Sequence, residues 1–457
     1  MNTEIWKKVQ LFNLDEHQGE YDFSIRLASE NGWTKNFTAK AILEYKKFMF
    51  LAATSGSMVS PSEMVDIVWH QHLLFTNSYQ LFCKILGTEI QHIPSTHNRS
   101  EAQKFREASD FTERVYRENF GEQPKDIWQQ NSMYDSLNLS TSKIKFPFLV
   151  LLLIVVSAIL FFPLFAVLKP VYVQFENPYF VFSYILCCIS FLLILKKFND
   201  YKIKQIIRKA DEDSFIFNLE PYEMIYLKKR NISHIINGTL SELIDNKSIS
   251  LSKKGEFSLE SNVSVKSKEQ SQVVNYLEEF GTSPYMRILK NIRQKPVFKI
   301  TEFIGENLIQ TFRNSIEFQK ILVLNILISG ILINLGIARI VLGALREKPV
   351  VQISIITLLI FLILIFFLWR LSVKPTSYII PKLYAEEILP QKGADFDWQW
   401  SYFLVGSAVL TSSFIPFVNR PSSDGSSSSC GGSSSSDSSC GGSSCGGGCG
   451  GCGGGGD

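Results

Sequence analysis

Histidine is scarce in this chain, with six in 457 residues, and cysteine is scarce outside the last forty positions. Strong charge is also lacking. The formal net charge is +3, so no global field argues for a nucleic-acid or polyanion partner. The first 30 residues hold no apolar core of the kind a secretory leader needs, and no cleavable signal is expected. The metal-protease helix pattern HExxH is absent, and so is a CxxC pair ahead of the tail, which removes the two most direct signatures of a zinc site. No internal repeat of 20–50 residues is visible.

What is present is apolar residue packed into blocks. The overall share of 46% is ordinary, but four stretches are almost free of charge: 146–168, 178–195, 321–344 and 350–370. About 20 apolar residues in helix cross a hydrocarbon core of about 30 Å, and each block comes close to that length. The chain therefore reads as a multi-pass membrane protein whose first partner is the lipid bilayer. The third block carries Asn334 and Arg339. A fifth block, 401–418, is shorter and less apolar, and is a candidate to span, to lie at the interface or to pack on the others. Apart from Arg339, and Arg370 at the end of the fourth, the four spans hold no Asp, Glu, Lys, Arg or His, which argues against a transporter. Lys143 and Lys145 precede the first span, and Lys196, Lys197, Lys202, Lys204, Arg208 and Lys209 follow the second. By the positive-inside rule the N-terminus and 196–319 are both expected in the cytoplasm.

The expected fold class is mainly α. It comprises a helical soluble domain at 1–135, two transmembrane hairpins, a cytoplasmic domain at 200–319 and a tail at 421–457. Within 200–319, residues 219–261 read helix, turn, helix, hairpin, with period-two alternation around Lys254-Gly255, which resembles a winged helix. Lys228, Lys229, Arg230, Lys253 and Lys254 would serve nucleic acid, but the weak basic excess favours a small interaction domain whose lysines are solvated or face anionic lipid, so nucleic acid is not the expected partner. The tail is nearly all Ser, Gly, Cys and Asp, and cannot bury enough apolar area to order itself. Its cysteines, Cys430, Cys440, Cys445, Cys449 and Cys452, lack the two short pairs with structure between them that zinc folds use. Loose soft-metal binding, disulfides, acylation and azole formation stay open for them.

The few histidines cluster. VDIVWHQHLL (65–74) sets His70 and His72 after Asp66 and Trp69, with His92 and His97 further on. Ser60-Pro61-Ser62-Glu63 predicts a helix start, Ser60 capping, and the helix is expected to run to Leu86 before Gly87. At 100° per residue His70 and His72 fall on opposite faces, so one straight helix cannot offer both to one ion. Asp66 and His70, at i and i+4, share a face. With His92 folded back they would form a three-ligand set with an open position, as catalytic zinc prefers. The plainer reading, which these residues favour, is a histidine that Asp66 holds by hydrogen bond to pin helix to loop. His72, among Val65, Val68, Trp69, Tyr79 and Cys83, reads as a core histidine, and Cys83 as a small buried hydrophobe rather than a nucleophile.

Several spaced motifs occur here: Glu44, Tyr45 and Phe48; Pro61 to His72; Thr76 to Cys83; His92 and Pro94; and Phe120 to Pro124. Over roughly residues 20–130 they resemble the glycine-rich domain-containing protein-like family. The resemblance implies a helical module with a shared His/Asp/Trp corner, and implies no reaction. The membrane half is similar in layout to bacterial membrane proteins with Gly/Cys-rich C-terminal ends. The function expected from these readings is a membrane-anchored interaction or scaffold protein that holds a metal, zinc first, on Asp66, His70 and His92. The alternative is a metal-dependent enzyme using the same corner.

Overall fold

The computed structural model describes residues 2–15, 21–92, 102–175, 177–391 and 397–419. Pro94, His97 and all five tail cysteines, with the readings attached to them, lie outside those residues. The amino-terminal part is helical: α1 (Thr3–Leu11), α2 (Phe23–Asn31), α3 (Lys35–Thr54), α4 (Glu63–Leu74), α5 (Thr76–Leu86), α6 (Ala102–Phe120) and α7 (Lys125–Trp128). Side-chain caps begin several of these. The Asn2 carboxamide oxygen accepts from Ile5 N–H, and the Thr34 hydroxyl accepts from Phe37 N–H. Gly32 ends α2 at φ 65°, where a Cβ would be strained. The core is aromatic, with Phe23, Tyr45, Phe48 and Phe82 at 1% exposure or less.

The single helix expected over 60–86 is corrected in two respects. It starts at Glu63, with Ser62 rather than Ser60 as cap, accepting from Val65 N–H. It also breaks at Phe75, whose φ of −94° and ψ of 63° leave the helical region. The Phe75 ring packs edge-on against Phe23, at 5.5 Å between centroids. The break folds α5 back along α4, so that Trp69 Nε1 donates to Tyr79 Oη at 3.1 Å. Ten residues of straight helix would separate those two by about 15 Å. Gly87 ends α5 at φ 77°, as expected.

Among the described residues four helices are long and apolar enough to cross a membrane: α8 (Phe146–Gln174), α9 (Asn177–Ile207), α15 (Ile316–Leu345) and α16 (Val351–Lys374). Large apolar side chains such as Phe148, Phe162, Phe182, Leu186, Leu358 and Leu362 stay exposed on them, as a lipid-facing surface requires. The most enclosed of the four is α15. Its polar residues point into the bundle: Asn325 and Asn199 donate to each other at 2.8 and 2.9 Å, Asn334 Nδ2 donates to the Ser157 carbonyl at 2.9 Å, and Arg339 donates to the Tyr172 and Phe175 carbonyls at the end of α8. Asn334 and Arg339 thus close a helix bundle without weakening the case for a span. A Cβ at Gly336 would come within 2.6 Å of Thr357 Oγ1, which fits the close backbone approach that small residues allow between membrane helices.

Between the hairpins lie α10 (Pro221–Lys229), α11 (Ser233–Asp245), β1 (Ile249–Leu251), β2 (Glu256–Leu259), α12 (Lys268–Phe280), β3 (Ser283–Pro284), α13 (Tyr285–Ile292) and α14 (Pro296–Arg313). The strands form an antiparallel sheet in the order β1-β2-β3, with Ile249 opposite Leu259 and Phe257 opposite Ser283. Helix, helix and hairpin occur in the order read from 219–261. This part packs on the amino-terminal helices. Lys35 pairs with Glu269 at 2.6 Å, Lys268 with Asp15 at 2.7 Å, and Asn36 donates to the Asn218 carbonyl at 2.7 Å. Both therefore stand at the same end of the four spans, as two hairpins demand.

Beyond α16 the helix continues through two π-turns, Pro375–Ile379 and Tyr384–Ile388, alternating with α17 (Ile380–Leu383) and α18 (Leu389–Gln391). Pro375 has no N–H for the helical ladder, and the wider turn accommodates it. The candidate fifth span does not form. Residues 398–418 are α19 (Trp398–Val405), a 3₁₀ turn and α20 (Ile415–Val418), and eight residues of helix reach only about 12 Å. They strap the winged-helix-like part instead. Tyr402 Oη donates to the His234 carbonyl at 2.9 Å, Gln399 Nε2 donates to Glu242 at 3.0 Å, and the buried Phe414 packs on Phe257 and Tyr285. Tyr402, Phe403, Leu410 and Phe414 are thus buried against protein, while Leu404 and Val405 stay exposed.

Candidate metal centre

Helix α4 supplies two of the three side chains. Asp66 and His70 are one turn apart on its outer face, and the His70 Nε2 to Asp66 Oδ2 distance is 3.6 Å. The third comes from the chain after α5. Tyr79 Oη donates to the Ile90 carbonyl at 2.5 Å, which ties that segment down and brings His92 over α4. The His92 ring stands edge-on to Trp69 at 4.6 Å, and its Nε2 lies 3.0 Å from Asp66 Oδ1 and 2.9 Å from His70 Nε2. All three donor atoms fall within 4.8 Å of one another. Side-chain exposures of 57% for His70, 35% for Asp66 and 18% for His92 leave the cluster open to solvent on one side.

This arrangement is poorly satisfied by hydrogen bonds alone. A neutral imidazole carries one N–H and one lone pair. If His92 Nε2 bears the proton, Asp66 and His70 compete for it. If it does not, its lone pair faces a carboxylate oxygen. A cation at the centre removes the conflict, and two imidazole nitrogens with one carboxylate oxygen suit zinc or a similar divalent transition ion with an open position.

A cavity of ≈ 360 Å³ adjoins the cluster. Phe48, Ala52, Met58, Val59 and Phe105 give it apolar walls, and Glu63, Asp66 and His92 give it a polar one.

His72 lies elsewhere, as its helical position predicts. It is fully buried, with Nδ1 2.8 Å from Tyr45 Oη and Nε2 3.1 Å from Ser78 Oγ. Burial, with Lys46 as a second cause, lowers its pKa to about 4, so it stays neutral. Since hydroxyls take both ring nitrogens, His72 cannot act as a base toward Cys83, which is buried and free. Trp69 bridges the two environments, with its ring against Phe48 and His92 and its N–H on Tyr79.

One polar cluster has no counterpart in the sequence reading. Glu44, 2% exposed, accepts from Lys47 Nζ at 2.7 Å, Tyr116 Oη at 2.7 Å and Trp128 Nε1 at 2.8 Å. It pins α3 to α6 and α7, and burial beside this carboxylate raises the Tyr116 pKa. The only local signal was an acid on a helix otherwise rich in buried apolar residues. Of the winged-helix-like cations, Lys228 donates to the Phe403 carbonyl at 2.7 Å and Arg230 to Glu306 at 2.7 Å, so both are engaged inward.

Four apolar spans carrying a helical domain with a convergent Asp/His/His cluster define a multi-span membrane protein. Residues 22–117, which hold α2 to α5 and most of α6, match the family model described as UCP032817-like, a family of uncharacterised function. No curated protein and no solved structure matches the chain significantly.

Proposed function

We propose that this is a membrane-anchored binding protein whose amino-terminal domain holds a divalent transition metal, zinc first, on Asp66, His70 and His92. The convergence of three lone-pair-bearing atoms without a full set of hydrogen bonds carries the reading. The metal would offer its open position to a donor group of a protein or small-molecule partner seated in the neighbouring cavity. The basic residues flanking the spans favour a cytoplasmic placement for this domain. Glu44, Tyr45, Trp69, His70 and His72 also belong to the motifs that resemble the glycine-rich domain-containing protein-like family. On this reading that family shares the corner.

A second reading is supported by the cavity itself. A three-ligand metal beside an apolar cavity is the layout of metal-dependent hydrolysis, where the ion supplies Lewis acidity to a carbonyl or phosphoryl oxygen. Glu63, on the same wall, is the carboxylate placed for proton handling.

Metal analysis of the full chain, purified in detergent and dialysed against buffered zinc, tests the reading. About one ion per chain is expected on the folded domain. Asp66→Ala, His70→Ala and His92→Ala should each remove it while leaving helix content unchanged. Equal metal in all four proteins would remove the site.

A further inference from the structure

A second cavity, of ≈ 520 Å³, lies between α9 and α16 where the spans meet the rest of the protein. Its walls divide by chemistry. Leu192, Leu193, Ile363, Phe366 and Phe367 form the part within the spans, and Lys196, Lys228, Arg370 and Lys374 form the other end. Both helices run toward the same end of the bundle. Lys196 is 19 residues into α9 and Arg370 is 19 residues into α16, about 28 Å from each helix start. That is close to the thickness of a hydrocarbon core, so the two cations share one depth, at the lipid boundary. Tyr378 in the cavity wall, and Trp369 at the same depth on α16, are exposed aromatic residues of the kind such a boundary favours.

The charges are not balanced by protein. Lys374 pairs with Asp200, and Lys228 is committed to the Phe403 carbonyl and lies over its ring at 4.9 Å. Among the described residues neither Lys196 nor Arg370 has an ion-pair or hydrogen-bond partner, and both are exposed. No carboxylate lines the cavity. An apolar slot that ends in two unpaired cations at interface depth complements one kind of molecule.

We infer that this cavity is a binding site for an anionic glycerophospholipid, with the headgroup phosphate between Lys196 and Arg370 and one acyl chain against Leu192, Leu193, Ile363 and Phe366. Lys228 adds to the positive potential from behind. Arg370 offers a planar fork for phosphate, and Lys196 a point charge. The site is separate from the Asp66/His70/His92 cluster and stands whether or not that cluster binds metal.

Retention of phosphatidylglycerol and phosphatidylcholine by the full chain tests it. The two lipids are supplied in equal amount in mixed micelles and quantified by mass spectrometry after size exclusion. Wild type should retain phosphatidylglycerol at least about tenfold over phosphatidylcholine. Lys196→Gln with Arg370→Gln should abolish the preference. Lys196→Arg with Arg370→Lys should keep it, and so should the distant pair Lys290→Gln with Lys299→Gln. In wild type alone, raising salt from about 0.05 M to about 0.5 M should weaken it. Unchanged retention in the double glutamine variant, or a preference insensitive to salt, would overturn the assignment. Displacement of the lipid by millimolar inorganic phosphate would reassign the cations to a soluble anion and equally overturn it.

Discussion

Two histidines separated by one residue in α4 live in opposite surroundings. His72 is sealed among Phe12, Phe23, Tyr45 and Phe82, and each ring nitrogen has a hydroxyl to meet it. His70 is more than half exposed and meets another imidazole and a carboxylate, and a proton on His92 Nε2 is contested between His70 and Asp66. The first environment is complete without a ligand, and the second is the one in which we propose a metal. Glu44 makes the same point with a carboxylate. It is surrounded by three donors and has a structural role, whereas Asp66 meets two imidazole nitrogens that donate or offer a lone pair according to tautomer. On the proposed reading, what separates scaffold from site in this domain is whether each polar atom has its own partner or must share one, more than burial or residue type.

The largest effect that would break the contrast is on stability. His72→Ala should cost about 4 kcal/mol through a cavity and two orphaned hydroxyls, read as lost hydrogen-exchange protection in α4 and α5. His70→Ala should leave that protection within about 0.5 kcal/mol of wild type. Equal losses would erase the distinction.

Acid should act through the same residue. His72 is neutral in the folded state down to about pH 4 but takes a proton near 6.5 when unfolded. Its contribution is thus fully present above pH 6.5 and is lost as pH falls toward 4, by up to about 3 kcal/mol. Glu223, held up at about 7 by burial, works in the opposite sense, since its contribution is lost as pH rises through that value. The quantity to measure is therefore the difference between wild type and His72→Gln in local exchange across this pH range. A flat difference would contradict the buried, neutral assignment.

Metal affinity comes next. Asp66→Ala should weaken zinc binding by at least about 100-fold, roughly 2.7 kcal/mol, while His72→Gln should leave it within about threefold, both by competition with a chelating dye. Glu44→Gln should destabilise the α3–α6 contact by about 2 kcal/mol without changing metal affinity. The smallest effect is expected for Trp69→Phe. It loses the bond to Tyr79 and about 1 kcal/mol, and loosens His92, which isothermal titration would read as a modest fall in zinc affinity.

Much of this was legible in the residues because the signals are local. The four spans are continuous apolar runs, and nothing but lipid needs that length. Asp66 and His70 sit at i and i+4, so any helix puts them together. His72 falls on the apolar stripe, so any helix buries it. The break at Phe75 was not legible, since no Gly or Pro marks it. It arises from Phe23, fifty residues earlier, drawing that ring inward. Glu44 was marked only as part of a motif, and its partners were silent for the same reason, because Tyr116 and Trp128 are more than seventy residues away. Residues 401–418 are apolar enough to leave water but not long enough to enter lipid. Their partner, the winged-helix-like part with its open sheet face, appears only when the chain is folded.

X-ray absorption at the zinc edge of the metal-loaded full chain tests the central claim most directly, because it distinguishes the three-residue cluster from the cysteine-rich tail. The account predicts a first shell of nitrogen and oxygen at about 2.0 Å with imidazole outer-shell scattering that disappears in Asp66→Ala. A shell dominated by sulfur at about 2.3 Å, unchanged in that variant, would place the metal on the tail and contradict it.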